Sequence, residues 1–210
     1  MTQDGRLIRG ERTRSAVLEQ ALVLATVSGL DGLSLSQVAD ALGVSKSGLF
    51  AHWRSKEALQ LAVIDQARAQ WRDRVIRPAL EVPAGVRRLW AVHDRRIAFY
   101  EARVLPGGCF FANAHFEFNA RPGVIRDRLA GELTDWMTFL TGLAGEAAGL
   151  GELRPGVDPA GLAYHVESLG VCAVMQAPVV GAAPTYAQAR RQLLEHLRAV
   201  TIDPTILEQK

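Results

Sequence analysis

Leu18, Ala21, Leu22 and Ala25 stand at i, i+3, i+4 and i+7, the spacing that lines up apolar side chains on one face of a helix. The pattern predicts a helix from about residue 11 to residue 28, with Gly29 as its C-cap. Leu35, Val38, Ala39 and Leu42 repeat the spacing over a shorter stretch. Ser34 and Gln37 make an S-x-x-Q capping box at its start, and Gly43 ends it in a sharp turn. Ser45 then caps a third helix that runs to about Trp53. Ser55 caps a fourth, which extends to Arg77 before Pro78 stops it.

Past Pro83 the apolar stripes lengthen. Val86, Leu89, Trp90, His93, Ile97 and Tyr100 share one face of a helix over about residues 84–103. Pro106-Gly107-Gly108 breaks the chain before a short apolar helix, Cys109 to Phe118. Arg121-Pro122-Gly123 breaks it again, and a long helix follows to about Ala148. A glycine-rich joint, Gly149 to Gly156, leads to two last helices near residues 158–177 and about 185–200. No stretch alternates as a strand does. The expected class is all-α: a three-helix N-terminal piece, residues 1–56, and a larger helical domain, residues 57–210.

Composition narrows the picture only slightly. With 49% apolar residues in 210, the chain can bury a real core. The longest nearly apolar run, Val171 to Pro184, is interrupted by Gln176 and Pro178, whereas a membrane span needs about 20 apolar residues. The N-terminus is polar, unlike a secretory signal, so the cytoplasm is the expected location and no membrane partner is expected. Cys109 and Cys172 are too few for a disulfide framework. Charge is more telling in its distribution. Seven of the 24 basic and five of the 22 acidic residues lie in residues 1–56, so the net +2 resides there. A polyanion should dock on that end.

The segment Ser34 to Lys56, SLSQVADALGVSKSGLFAHWRSK, carries the functional signal. A capped helix, a glycine turn and a second short helix form the geometry that lays a recognition helix in the major groove. In the second helix Leu49 and Trp53 face inward, toward Val38, Ala39 and Val44, while Lys46, Ser47 and Phe50 face outward. Ser45, Lys46, Ser47 and Gly48 are small or basic, so the helix can approach a duplex closely. Ser34, Ser36 and Gln37 stand at a helix N-terminus suited to phosphate. Lys56 on one side and Arg12 or Arg14 on the other can clamp the backbone.

This stretch resembles the DNA-binding domain of the TetR (tetracycline-repressor-like) family. The matching residues are Val38-Ala39, Leu42-Gly43-Val44-Ser45, Leu49-Phe50, His52-Trp53 and Ser55-Lys56-Glu57-Ala58-Leu59, with a lead-in from Ala21 through Gly29 to Ser34. It departs at Phe50, where the family usually has tyrosine, and at Trp53, where phenylalanine is commoner. Phe50 gives up a phosphate hydrogen bond and keeps apolar contact with a base. The resemblance adds His52 to the DNA-facing set. It also implies a palindromic operator, a homodimer and a small-molecule effector of unidentified structure. Gly151-Glu152-Leu153-Arg154-Pro155, then Asp158-Pro159 and Leu162-Ala163, resembles the joint before the family's dimerisation helices. On those helices Leu162, Val166, Leu169, Leu193 and Leu197 form the expected interface.

The aromatic middle of the chain is where the effector is expected. Trp90, His93, Phe110, Phe111, His115, Trp136, Phe139, Tyr164 and His165 are the candidate contacts. The segment Pro106 to Pro122 is expected to move against the fourth helix. Enzymatic chemistry finds little support. His115-Phe116-Glu117 is an H-x-E with no following P-C-x-x-C, which a zinc deaminase needs. Cys109 and His115 are six apart and share a helix face poorly. No cofactor and no metal site is expected. The rival readings are a regulator that senses nothing and a helical enzyme with a vestigial helix-turn-helix.

Overall fold

The computed structural model describes residues 3–46, 49 and 52–208, with only the backbone described for residues 3–13. Every regular element among these residues is helical. They are α1 (Gln3–Ser28), α2 (Leu35–Leu42), α3 (Lys56–Trp71), a π-helical turn (Arg72–Ile76), α4 (Arg77–Leu80), α5 (Val86–Glu101), α6 (Phe110–Phe118), α7 (Val124–Gly149), α8 (Pro159–Val180), α9 (Ala182–Val200) and a 3-10 turn (Pro204–Leu207). One isolated bridge pairs Leu153 with Thr201. Among the described residues, no helix is long and apolar enough to cross a membrane.

The chain forms two compact units. The first takes residues 1–70 and 105–130, the second residues 71–104 and 131–210. The unit that holds the helix-turn-helix therefore also holds α6, from the middle of the sequence.

The caps follow the sequence closely. Ser34 Oγ accepts the Gln37 N–H at 3.2 Å, and Gln37 Oε1 accepts the Ser34 N–H at 2.9 Å, completing the capping box of α2. Gly43 closes α2 with φ +64° and Gly29 follows α1 with φ +83°. Ser55 Oγ accepts the Ala58 N–H at 3.0 Å and opens α3. Two expectations are corrected. First, α1 begins at Gln3, not near residue 11; its first turns carry no apolar stripe for periodicity to detect. Second, the helical path does not stop at Pro78. The π turn, closed by Arg77 N–H donating to the Arg72 carbonyl, delivers Pro78 to the start of α4, where a missing N–H costs no bond.

In the first unit Val17, Ala21, Leu22, Leu30, Leu33, Val38, Leu49, Trp53, Leu59 and Ile64 are all buried. In the second, one core joins Leu89 and Val92 of α5, Leu140 and Ala144 of α7, Leu162 and Val166 of α8, and Leu193 and Leu197 of α9. These last four residues, expected to form a dimer interface, fill the subunit's own interior, and Leu169 is half-buried against them. A helical stripe looks the same in sequence whether it faces its own chain or another.

Candidate nucleic-acid interface and sensor region

The recognition segment lies between α2 and α3, and Lys46 and Leu49 are helical there. Leu49 and Trp53 are each 2% exposed, so the inward face is as the spacing dictates. Val44, expected inward, is instead exposed. Lys46 stands on the outer side with its Nζ 3.9 Å from Asp40. Ser45, His52 and Lys56 are also exposed, and Ser34 and Ser36 half-buried. Gln37 is exposed although its side chain serves the cap. Arg14 places its guanidinium 5.6 Å from the Trp53 ring centroid, a cation–π contact that fixes α1 against the recognition segment. The side chain of Arg12, and Ser47, Gly48 and Phe50, lie outside the described residues.

The turn after α1 is a junction that the sequence did not advertise. Glu117, on α6, receives the Leu30 N–H at 2.7 Å and the Asp31 N–H at 2.9 Å. Gly29 makes room: a Cβ there would meet Glu117 Oε1 at 2.7 Å. The Leu30 carbonyl in turn accepts from the Gln60 amide of α3 at 2.9 Å. Asp31 binds Lys56 at 3.1 Å and Arg121 at 2.6 Å, and these two hydrogen-bonded cations hold its carboxyl below the usual range. Asn113 donates to the Thr26 and Gly107 carbonyls, and Gly107 N–H to Thr26 Oγ1. The Pro106–Pro122 segment is thus tied first to the end of α1, and reaches α3 through Leu30. His115 and Glu117 have separate tasks, since His115 Nε2 lies 3.0 Å from the Leu129 carbonyl. No sequence motif joins Glu117 to Leu30, 87 positions away.

The expected effector contacts divide between the units. Phe110, Phe111 and His115 belong to the first, where the two phenylalanine rings meet edge to face at 5.3 Å. Trp90, His93, Trp136, Phe139, Tyr164 and His165 belong to the second. Of these, Trp136 stacks on Phe139 at 5.6 Å, and His165 on His196 at 4.1 Å. Burial first, then the His196 charge, lowers the pKa of His165. Tyr164 is 70% exposed and does not line an interior. His93 is fully buried beside Trp90. Its pKa is held down to about 3, chiefly by burial and next by the charge of Arg96.

Sequence reasoning missed the polar heart of this unit. Arg96, 3% exposed, donates to Glu167 at 2.7 Å and to the Tyr100 hydroxyl at 2.8 Å. Trp136 Nε1 donates to the same Glu167 oxygen at 2.7 Å. Arg96 also lies 5.9 Å and 6.0 Å from the ring centroids of Tyr100 and Trp136. Gly170 is the space that admits it, for a Cβ there would overlap the guanidinium. An arginine amid aromatic residues on a helical stripe reads in sequence as surface; only packing reveals it as interior.

The family model for the tetracyclin repressor-like C-terminal domain matches residues 85–193, and the one described as bacterial regulatory proteins, tetR family, matches residues 17–63. The chain belongs to the TetR family. It is a DNA-binding, helix-turn-helix transcriptional regulator of that family. A TetR transcriptional regulator from Chloroflexus aurantiacus J-10-fl superposes with a TM-score of 0.84 at 29% identity, over 92% of this chain and 98% of that one. The structure of AibR in complex with isovaleryl coenzyme A and operator DNA superposes at 0.65 with 21% identity, over 85% and 96%, a likeness of fold. The HTH-type transcriptional regulator RutR of Escherichia coli (strain K12) is 38% identical over 77 residues, 34% of this chain. The match spans about a third, 36%, of that curated relative's length.

Proposed function

We propose that this TetR-family regulator is a ligand-responsive repressor that binds a palindromic operator as a homodimer and is released by a small molecule. It works in the cytoplasm and carries out no catalysis. The observation that carries the operator reading is the pair of half-exposed cations, Lys46 and Lys56, on either side of the buried Leu49–Trp53 packing. Lys46 reads a base edge together with Ser47, Gly48 and Phe50. Lys56, with Ser34, Ser36, Arg12 and Arg14, holds phosphates. The effector reading rests on the second unit. A small-molecule site is apolar with a few placed polar groups, and Arg96 and Glu167 amid Tyr100, Trp136 and Phe139 supply that chemistry. AibR, a relative in fold, is seen with both isovaleryl coenzyme A and operator DNA, which supports a regulator of this fold engaging a small molecule as well as DNA.

The test uses DNA flanking the protein's own gene. Lys46→Ala should weaken specific binding by about 1–3 kcal/mol and relax preference at one base position. Lys56→Ala should weaken all sequences alike. Unchanged affinity in the double mutant would remove this interface. A metabolite panel screened by thermal shift should yield a compound that also releases the DNA. A compound that stabilises without release, or a panel with no stabiliser, favours the regulator that senses nothing; turnover of a bound compound favours the enzyme.

A further inference from the structure

We infer that Arg121, from the middle of the chain, is an operator-phosphate contact, held ready beside Lys56 by Asp31; the inference rests on the proposed DNA-binding surface. Three observations meet at one place. Asp31 Oδ1 binds Lys56 at 3.1 Å and Asp31 Oδ2 binds Arg121 at 2.6 Å, so both cationic heads sit on one carboxylate. Lys56 and Arg121 remain 50% and 52% exposed while doing so. On either side of Asp31 a helix begins: α2, capped by Ser34, and α3, capped by Ser55. Helix N-termini favour an anion, and Lys56 is itself the first residue of α3.

Arg121 reaches this place through the anchoring of α6 to the end of α1. Glu117 is locked to the Leu30 and Asp31 amides, and Arg121 follows four residues later, just past the end of α6, its guanidinium 5.7 Å from the Phe118 ring centroid. Among the described residues Glu117 engages backbone donors and does not pair with either cation. Asp31 does, and acts as an internal stand-in for phosphate. A guanidinium is a planar fork that can hold a carboxylate by one nitrogen and a phosphate oxygen by another. An approaching duplex therefore finds two cations already gathered and loses little in ordering them.

Binding of a mixed-sequence duplex of about 30 base pairs, roughly three helical turns, is followed by fluorescence anisotropy across a salt series. Each phosphate contact contributes about 0.9 to the slope of log K against log salt. The Asp31→Asn background frees both cations from their internal partner, so a change caused by Arg121 cannot come from Asp31 capturing Lys56. In that background Arg121→Ala should lower the slope by about 0.9 per protomer, and Arg121→Lys should retain it. Should Arg121→Ala fail to fold, as judged by its thermal transition, Arg121→Gln is read instead. A slope unchanged by losing Arg121 but reduced by Lys56→Ala overturns the inference and leaves the surface standing. Slopes unchanged by both substitutions overturn the surface and the inference with it.

Discussion

His93 shows what a single side chain costs in the wrong protonation state. It is completely buried with neither ring nitrogen hydrogen-bonded within the described residues, and the influence of the Ala189 carbonyl is too weak to offset burial. The native ring stays neutral down to about pH 3, against 6.5 for an ordinary histidine. Between those values the unfolded chain binds a proton that the native state does not. The stability from burying a neutral ring is therefore complete above about pH 6.5 and drains away as pH falls toward about 3. Urea unfolding of the wild type and His93→Leu over that range should show the variant losing less stability on acidification. Parallel curves would mean the ring titrates normally. In sequence the same position reads as one residue of an amphipathic face and a candidate effector contact, because periodicity reports which side faces inward and not what solvates it.

At the scale of elements, the joint between α6 and the end of α1 ties together two distant stretches of the first unit. Glu117→Ala strips two backbone amides of their acceptor, and each buried donor left unpaired costs about 1–3 kcal/mol. We expect faster hydrogen exchange at Leu30 and Asp31 and a loss of about 2–4 kcal/mol in unfolding free energy. Exchange at those two amides unchanged from wild type would show that water replaces the carboxylate without penalty. Local features were legible beforehand: Ser34 with Gln37 as a cap, Gly43 and Gly29 as left-handed turns, Leu49 and Trp53 as the inward face. Each is decided by neighbours within four residues. Glu117 was not legible, because its partners lie 86 and 87 positions away. The π turn before Pro78 was hidden as well, since its wider register departs from the rule that makes proline a stop.

For the whole molecule the question is what covers α8. Tyr164, Ser168, Cys172, Met175 and Val179 recur every three or four residues, and all are exposed; Tyr164, Met175 and Val179 are 70%, 53% and 82% so. Large apolar side chains bared along one helix face mark an interaction surface, and a second copy of the chain is the occupant proposed. Removing the chain after Gly156 would empty the core of Leu162, Val166, Leu193 and Leu197, so it would test folding more than assembly. Met175→Glu with Val179→Glu leaves that core intact. We expect this variant to sediment as a monomer at micromolar concentration, with its thermal transition nearly unchanged and its hold on DNA weakened. A dimer that persists would place the interface elsewhere. The stripe chosen from sequence was the buried one, since the more strongly apolar face of each helix serves its own chain first.

The first unit is assembled from two separate lengths of chain, residues 1–70 and 105–130, and this sets a clock on its synthesis. When the recognition segment leaves the ribosome, the glutamate that will receive the Leu30 and Asp31 amides has not yet been made. Translating the 60 residues from 71 to 130 takes about 3–12 seconds at bacterial-like rates of roughly 5–20 residues per second. Through that interval the helix-turn-helix is present without its anchor, and without Arg121. Until α6 has emerged, the Leu30 and Asp31 amides of a nascent chain have to find their acceptors in water.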